Sequence, residues 1–260
     1  MFICRLCGIK VEFLVDSHLL PRSAYKRINV NGKKIVQIKY ADNAAFYDQK
    51  QISTPLLCKS CEDLFSKNGE TQMGLLWMNK NEFPMLHHLE RCSQIADGSY
   101  DGNDLPKNIY DALIYFAISI IWRGSVWPDD RLKSYRGSLG KKYESEFRSF
   151  LLGKGRLSNV KFFIYASSSH NDARCKIMTL PNLEPGPIGK SHLFYILGFR
   201  FCVIVGRSHP KITALFKHLK SNLLLSIVDE KNSIWQKDIW NKVQFSLERK
   251  GTLAKDYPRS

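Results

Sequence analysis

Apolar positions fall into short runs near the start of the 260-residue chain, two helical stretches in its middle and a β-rich block after them. Val11 to Val15 is a short apolar run that predicts a strand ending at His18. Between Lys26 and Tyr40, alternating segments flank Val30-Asn31-Gly32-Lys33. Asn-Gly there predicts a hairpin, because a type I′ turn needs positive φ at both central residues. Ala41 to Thr54 is polar and irregular and predicts a loop. From Pro55-Leu56-Leu57 a helix is expected to start and run to about Glu70. Gly69 to Glu90 is a transition, with methionines and aromatics between Met73 and Met85. Ser93 to Pro106 is rich in Asp, Gly, Asn and Ser, which predicts a loop and a domain boundary.

Lys107 to Arg123 places Ile109, Leu113, Phe116, Ile120 and Ile121 close to one helical face. Gly140 to Leu152 does the same with Tyr143, Phe147, Phe150 and Leu151. Val160 to Ala166, Ala173 to Leu180, His192 to Leu197 and Phe199 to Val205 read as strands, with Gly198 punctuating the last two. Pro210 to Val228 and Ile234 to Leu247 read as helices, and the basic end, Lys250 to Ser260, is expected to fray. The expected class is α+β, with a compact module over residues 1–92 and a mixed helical and β-rich region over 93–260.

Two CxxC pairs cut across this pattern: Cys4-Arg5-Leu6-Cys7 and Cys58-Lys59-Ser60-Cys61. Four thiolates are what a closed tetrahedral zinc site needs, and a closed site leaves no open position for water, so the zinc expected here is structural. Cys92, Cys175 and Cys202 are left over and suit small core positions. The start Met1-Phe2-Ile3-Cys4 lacks a basic region followed by an apolar run, so no signal peptide is expected and the location read from it is cytoplasmic. In that compartment cysteines serve as metal ligands and buried thiols rather than disulfides.

The formal net charge of +15 turns attention to nucleic acid, because lysine and arginine neutralise phosphates and release counterions. An acidic protein or a membrane surface would attract the same charge. The most apolar stretches, Ala112 to Trp122 and Leu193 to Val205, fall short of the ~18–20 residues of a membrane span, so no membrane insertion is expected. The chain has no G-x-x-x-x-G-K-[ST], G-x-G-x-x-G or G-x-S-x-G, so neither nucleotide-binding loops nor a serine nucleophile elbow is indicated. His87-His88 with Glu90 and Cys92 matches no familiar ligand spacing, His170-Asn171-Asp172 sits in a serine-rich turn, and Trp122 and Trp127 read as core.

Between the knuckles lies Ser17-His18-Leu19-Leu20-Pro21-Arg22-Ser23. The order CxxC, then His-x-x-Pro, then Leu-Cys-x-x-Cys with an acidic residue resembles the HNH, or His-Me finger, endonucleases in their zinc-bound form, over roughly residues 1 to 70. The resemblance implies a ββα unit holding one catalytic divalent metal, Mg²⁺ or Mn²⁺. His18 falls at the general base, whose ordinary pKa near 6.5 suits proton abstraction at neutral pH. Glu62, directly after Cys61, falls at a metal-ligand position where the family often has a histidine, and a carboxylate there is a suitable hard oxygen ligand; Glu70 lies two helical turns on. Ser17 departs from the family, which places an aspartate or histidine ligand there; a hydroxyl is a poorer ligand for Mg²⁺ than a carboxylate. Asp16 would point to the opposite face of the strand. Asn43 is a weak match for the asparagine of the family name.

Arg22, Lys26 and Arg27 follow His18 and could hold flanking phosphates. The activity implied is cutting or nicking of DNA, in anti-phage defence or a mobile element, alone or with other proteins of a multi-component system. Two other readings stay open. One is a zinc-braced nucleic-acid-binding module without catalysis, which Ser17 favours. The other is a component of a larger complex that docks an acidic partner through its charge.

Overall fold

A computed structural model of the chain describes residues 1–29, 36–39, 44–47, 51–79, 82–168, 178–186, 189–228, 248–251 and 254–255. The chain opens with an antiparallel hairpin, β1 (Phe2–Ile3) and β2 (Lys10–Val11), which frames the first CxxC turn. Gly8 closes that turn at φ 79°, a left-handed conformation that costs glycine little, and its N–H donates to the Cys4 carbonyl at 2.9 Å. Strand β3 (Val15–His18) ends at His18, as predicted, but the run Val11 to Val15 is not one strand: Val11 closes β2, and Glu12 to Leu14 connect it to β3.

Helix α1 (Arg22–Asn29) follows at once, so Lys26 to Asn29 are helical rather than an arm of a hairpin. Pro21 stands immediately before it, where a fixed φ and a missing N–H suit a helix start. The Asn31-Gly32 turn lies outside the described residues. Strands β4 (Val36–Lys39) and β5 (Ala44–Tyr47) pair antiparallel. The predicted loop over 41–54 therefore contains one strand and the start of another, β6 (Ser53–Leu57).

Pro55, Leu56 and Leu57 belong to β6 and not to a helix. Strand β6 pairs antiparallel with β3, and Pro55 sits opposite Asp16 where the register shifts. Proline lacks an N–H for the ladder and is accepted at such a bulge. The helix starts only at α2 (Lys59–Phe65) and continues through a π-helical turn, Ser66–Glu70, into α3 (Thr71–Leu76).

After α4 (Pro84–Leu89), the predicted loop over 93–106 holds β7 (Gln94–Ala96), β8 (Ser99–Asp101) and a 3₁₀ turn. β7 and β8 pair as a hairpin through the two-residue Asp97-Gly98 turn, a local signal that the reading of this stretch as loop overlooks, and β8 joins the large sheet beside β13. The two predicted central helices are present as α5 (Lys107–Val126) and α6 (Gly140–Leu151). Strands β9 (Val160–Ser167), β10 (Asn182–Gly186), β11 (Gly189–Ile196) and β12 (Phe199–Val205) follow. Leu197 at φ 45° and Gly198 at φ 85° form the two-residue turn between β11 and β12.

The predicted helix over 210–228 divides into α7 (Pro210–Lys217) and β13 (Leu223–Val228). A short apolar run such as Leu223-Leu224-Leu225 has no decisive period; its place beside β9 makes it a strand. Of the predicted strand over 173–180, residues 173–177 lie outside the described residues and 178–180 precede β10 without strand structure. The predicted helix over 234–247 also lies outside them. Strand β14 (Glu248–Lys250) pairs parallel with β5.

The large sheet has the order β10-β11-β12-β9-β13-β8-β7, with only β13 and β9 parallel. Helix α5 lies between this sheet and the cysteine-bearing part. Phe116 meets Phe194 and Phe201 of the sheet at ring separations of 6.1 and 5.7 Å. From the same helix, Tyr115 and Trp122 meet Phe65 of α2 at 6.0 and 6.1 Å. One buried apolar cluster runs from Cys4 to Leu225, and it includes Trp122 and Trp127. By length and composition α5 could cross a bilayer, yet 89% of its apolar window is buried inside the protein. Each large side chain buried this way is worth about 1.5–3 kcal/mol.

Candidate functional site

The four knuckle cysteines converge. One sulfur from each of Cys4, Cys7, Cys58 and Cys61 lies within 4.8 Å of the others. Cys7 Sγ and Cys58 Sγ are 3.9 Å apart, close to the ~3.8 Å that four sulfurs at about 2.3 Å from a tetrahedral zinc would show. The β1–β2 hairpin supplies two of them, and the entry to α2 supplies the other two. The Cys58 N–H donates to Cys4 Sγ at 3.3 Å. Burial pushes the Cys4 thiol up, but backbone N–H donors from Cys58, Cys7 and Leu6 outweigh it and bring it down to about 7. Such a donor set fits a structural metal such as zinc.

A second cluster lies beside the first. Strand β3 delivers Ser17 fully buried and His18 half-buried. Helix α2 carries Glu62 in its first turn. Ser17 Oγ donates to Glu62 Oε2 at 2.7 Å, so this hydroxyl holds the carboxylate that follows the cysteines. Eight residues of α-helix, at about 100° each, would place Glu70 about 80° round from Glu62. The wider π turn advances each residue by less and brings the two acids nearer one face. Gly69 lets this turn approach α5: a Cβ there would stand 3.2 Å from Tyr115 and 3.3 Å from the Phe116 backbone.

The third contributor comes from α5. Arg123 is fully buried, and its Nη2 donates to Glu70 Oε1 at 2.6 Å. Its Nη1 donates to the carbonyl of His18 and its Nε to the carbonyl of Ser119. The guanidinium carbon stands 4.9 Å from the centre of the Phe65 ring. Nothing in the sequence reading singles out Arg123, although it is the one charged residue between Ala112 and Val126. A lone charge in a stretch otherwise fit for a core is the signal that could have found it.

These groups perturb one another. Burial lowers the His18 pKa below 6.5, Arg22 and Arg123 lower it further, and Glu70 opposes them. Burial and the two arginines therefore favour the neutral imidazole. Burial raises the Glu62 pKa; Arg123 and the Ser17 hydroxyl hold it down, while Glu70 and Asp63 add repulsion. Two carboxylates that repel each other offer hard oxygen donors for a divalent cation. Glu70 is already ion-paired with Arg123, and among the described residues the ligand atoms of His18, Glu62 and Glu70 do not come close enough together to share a metal as they stand.

Arg22, Lys26 and Arg27 lie on the exposed side of α1, with Ala24 and Tyr25 turned inward. Arg27 Nη2 also donates to the Gly74 carbonyl at 3.0 Å. Asn43 and His170-Asn171-Asp172 lie outside the described residues, as does Cys175. Cys202 is buried, and Cys92 is partly buried with its thiol donating to the His88 carbonyl. Among the described residues, the four cysteines form the only cluster of three or more cysteine, histidine or acidic groups spaced to share a metal, so His87, His88, Glu90 and Cys92 do not assemble one. No family model matches the chain, and neither a curated protein nor a solved structure shows significant similarity to it.

Proposed function

We propose that the chain is an HNH-like, metal-dependent endonuclease that hydrolyses DNA phosphodiester bonds, with its zinc structural. The observation that carries this reading is the placement of a half-buried His18, of Glu62 bonded by Ser17, and of Glu70 linked to the end of the same strand through Arg123, next to a four-thiol cluster. An antiparallel strand pair, β3 and β6, followed by α2 supports it, because that order is the one the resemblance implies. His18 takes the proton from the attacking water. Glu62 and Glu70 hold Mg²⁺ or Mn²⁺, which when bound supplies positive charge for the scissile phosphate and leaving oxygen. Ser17 fixes the orientation of Glu62. Arg22 and Lys26, on the exposed side of α1, steady the flanking phosphates. The charge of +15 supports a polyanionic substrate. A role in anti-phage defence or a mobile element, and partner proteins in either, belong to this reading through the resemblance alone.

The test is plasmid cleavage with Mg²⁺ or Mn²⁺ by the purified protein beside His18→Ala, with bound zinc counted on both. Cleavage lost in the variant while zinc stays bound supports the reading. A second reading, a zinc-braced nucleic-acid-binding protein without catalysis, is favoured by the Arg123–Glu70 ion pair, which already neutralises one acid. It expects steeply salt-dependent DNA binding and no cleavage with either metal by either protein.

A further inference from the structure

Arg123 is hard to explain as packing. Taking a guanidinium out of water costs several kcal/mol, and apolar replacements of buried ion pairs are often neutral or stabilising. Ile120, Ile121 and Trp122 beside it are fully buried, and within its own helix it bonds Ser119, so a methionine would suit the position by size. The donors of Arg123 instead reach two segments outside its own helix. One is the last residue of β3, through the His18 carbonyl; the other is the last residue of the π turn, through the Glu70 carboxylate. Between these parts, Ser17 also donates to Glu62, but that bond reaches α2, one helix segment before the π turn. The two Nη atoms of a planar fork fix the distance between their acceptors in a way a lysine ammonium does not.

We infer that Arg123 is a positioning residue of the His18 site: its guanidinium ties the end of β3 to Glu70, so that base and carboxylate keep one geometry only while α5 holds them. The inference rests on the nuclease reading for its catalytic consequence, and on geometry alone for the tether. It makes the site a composite of the cysteine-bearing part and the central helix. Arg123 itself has no exposed surface, so it touches neither substrate nor solvent and acts through its partners.

The experiment uses the full chain as wild type, Arg123→Lys and Arg123→Met, with zinc counted on each. Hydrogen exchange is followed in peptides covering β3, the π turn and, as a reference, β11 and β12. Cleavage of a DNA oligonucleotide is measured in parallel, with kcat separated from KM. Arg123→Lys keeps the charge, and is expected to keep zinc and the protection of the large sheet. Protection at β3 and the π turn should fall together, by about tenfold or more, a loss of local order that global unfolding would not confine to two segments. Its kcat should fall about 100-fold with KM little changed, the scale of a displacement near 1 Å.

Unchanged exchange at both segments in Arg123→Lys overturns the tether, even if the methionine variant fails to fold. Exchange that rises equally across the whole protein, with the rate per folded molecule kept, also overturns it and leaves Arg123 a stabilising residue. Wild-type protein that does not cut DNA sinks the nuclease reading separately, and the exchange results still decide the tether.

Discussion

The cysteine cluster and the His18 site sit side by side and are built in opposite ways. The first needs two short segments, each with its ligands three residues apart, and every ligand comes from within the first 61 residues. The second draws Ser17 and His18 from β3, Glu62 from α2, Glu70 from a π turn and Arg123 from a helix 53 residues beyond Glu70. A metal-bound knuckle carries its own stability, whereas the histidine site depends on the packing of α5 against α2 and the large sheet.

Perturbing the two clusters in turn tests that contrast. The largest effect is expected from Cys58→Ser, which opens a closed metal site; such sites are worth about 10 kcal/mol or more in small zinc domains. Zinc should be lost and exchange protection should vanish at β3, β6 and α2, while β9, β11 and β12 stay protected. Loss of the whole fold would mean the cysteine-bearing part has no stability separate from the rest.

Next, Glu70→Gln leaves a buried guanidinium without its counter-charge and should destabilise the protein by about 3–5 kcal/mol in denaturant unfolding, with zinc retained. A change below about 1 kcal/mol would place that pair in effective contact with solvent.

A smaller effect, on rate rather than fold, concerns protons. His18 has its pKa depressed below 6.5, so the neutral base is favoured on folding. Its contribution to stability is present above pH 6.5 and is lost as pH falls through the depressed value. The pH–rate profile of cleavage should therefore hold level near pH 7 and fall with an inflection below 6.5. An inflection above 6.5 would show that the burial and the arginines do not govern His18. In the same assay Ser17→Ala should lower the rate about tenfold, because Glu62 loses a donor that favours its charged form. The smallest change is Gly69→Ala, expected to cost about 1–2 kcal/mol by pressing the π turn off α5. The same variant should weaken the Arg123–Glu70 contact, seen as faster exchange at Glu70.

The sequence exposes the local parts of this design. Both CxxC turns, the strand that ends at His18, the two central helices and the β11–β12 turn are written in neighbouring residues, and each is where spacing predicts it. What escapes is set at a distance. Pro55-Leu56-Leu57 reads as a helix start until β3 pairs with it, and Leu223 to Val228 reads as helix until β9 lies beside it. Strands β7 and β8 carry a local signal in Asp97-Gly98 that the surrounding Asp, Gly, Asn and Ser mask as loop; only the place of β8 beside β13 is set at a distance. At the candidate site, the sequence marks His18 by its place between the knuckles and Glu62 by its place directly after the second. The bond from Ser17 to Glu62 is not marked, because a hydroxyl in a ligand position reads as a loss until its partner is seen. Arg123 was missed because it stands in a stretch whose apolar period is already satisfied without it.

The reach of Arg123 along the chain has a consequence for timing. A ribosome delivers residues at about 5–20 per second, so the 53 residues from Glu70 to Arg123 separate the two by about 3–10 s of synthesis. Leu6 waits longer still, since its carbonyl is bonded by Arg148. Strand β8 must wait for β13, with Ser99 and Ser226 in contact across 127 positions. The histidine and its carboxylates thus emerge early but in no fixed relation. A nascent or truncated chain would carry His18, Glu62 and Glu70 without the bonds that α5 brings to them.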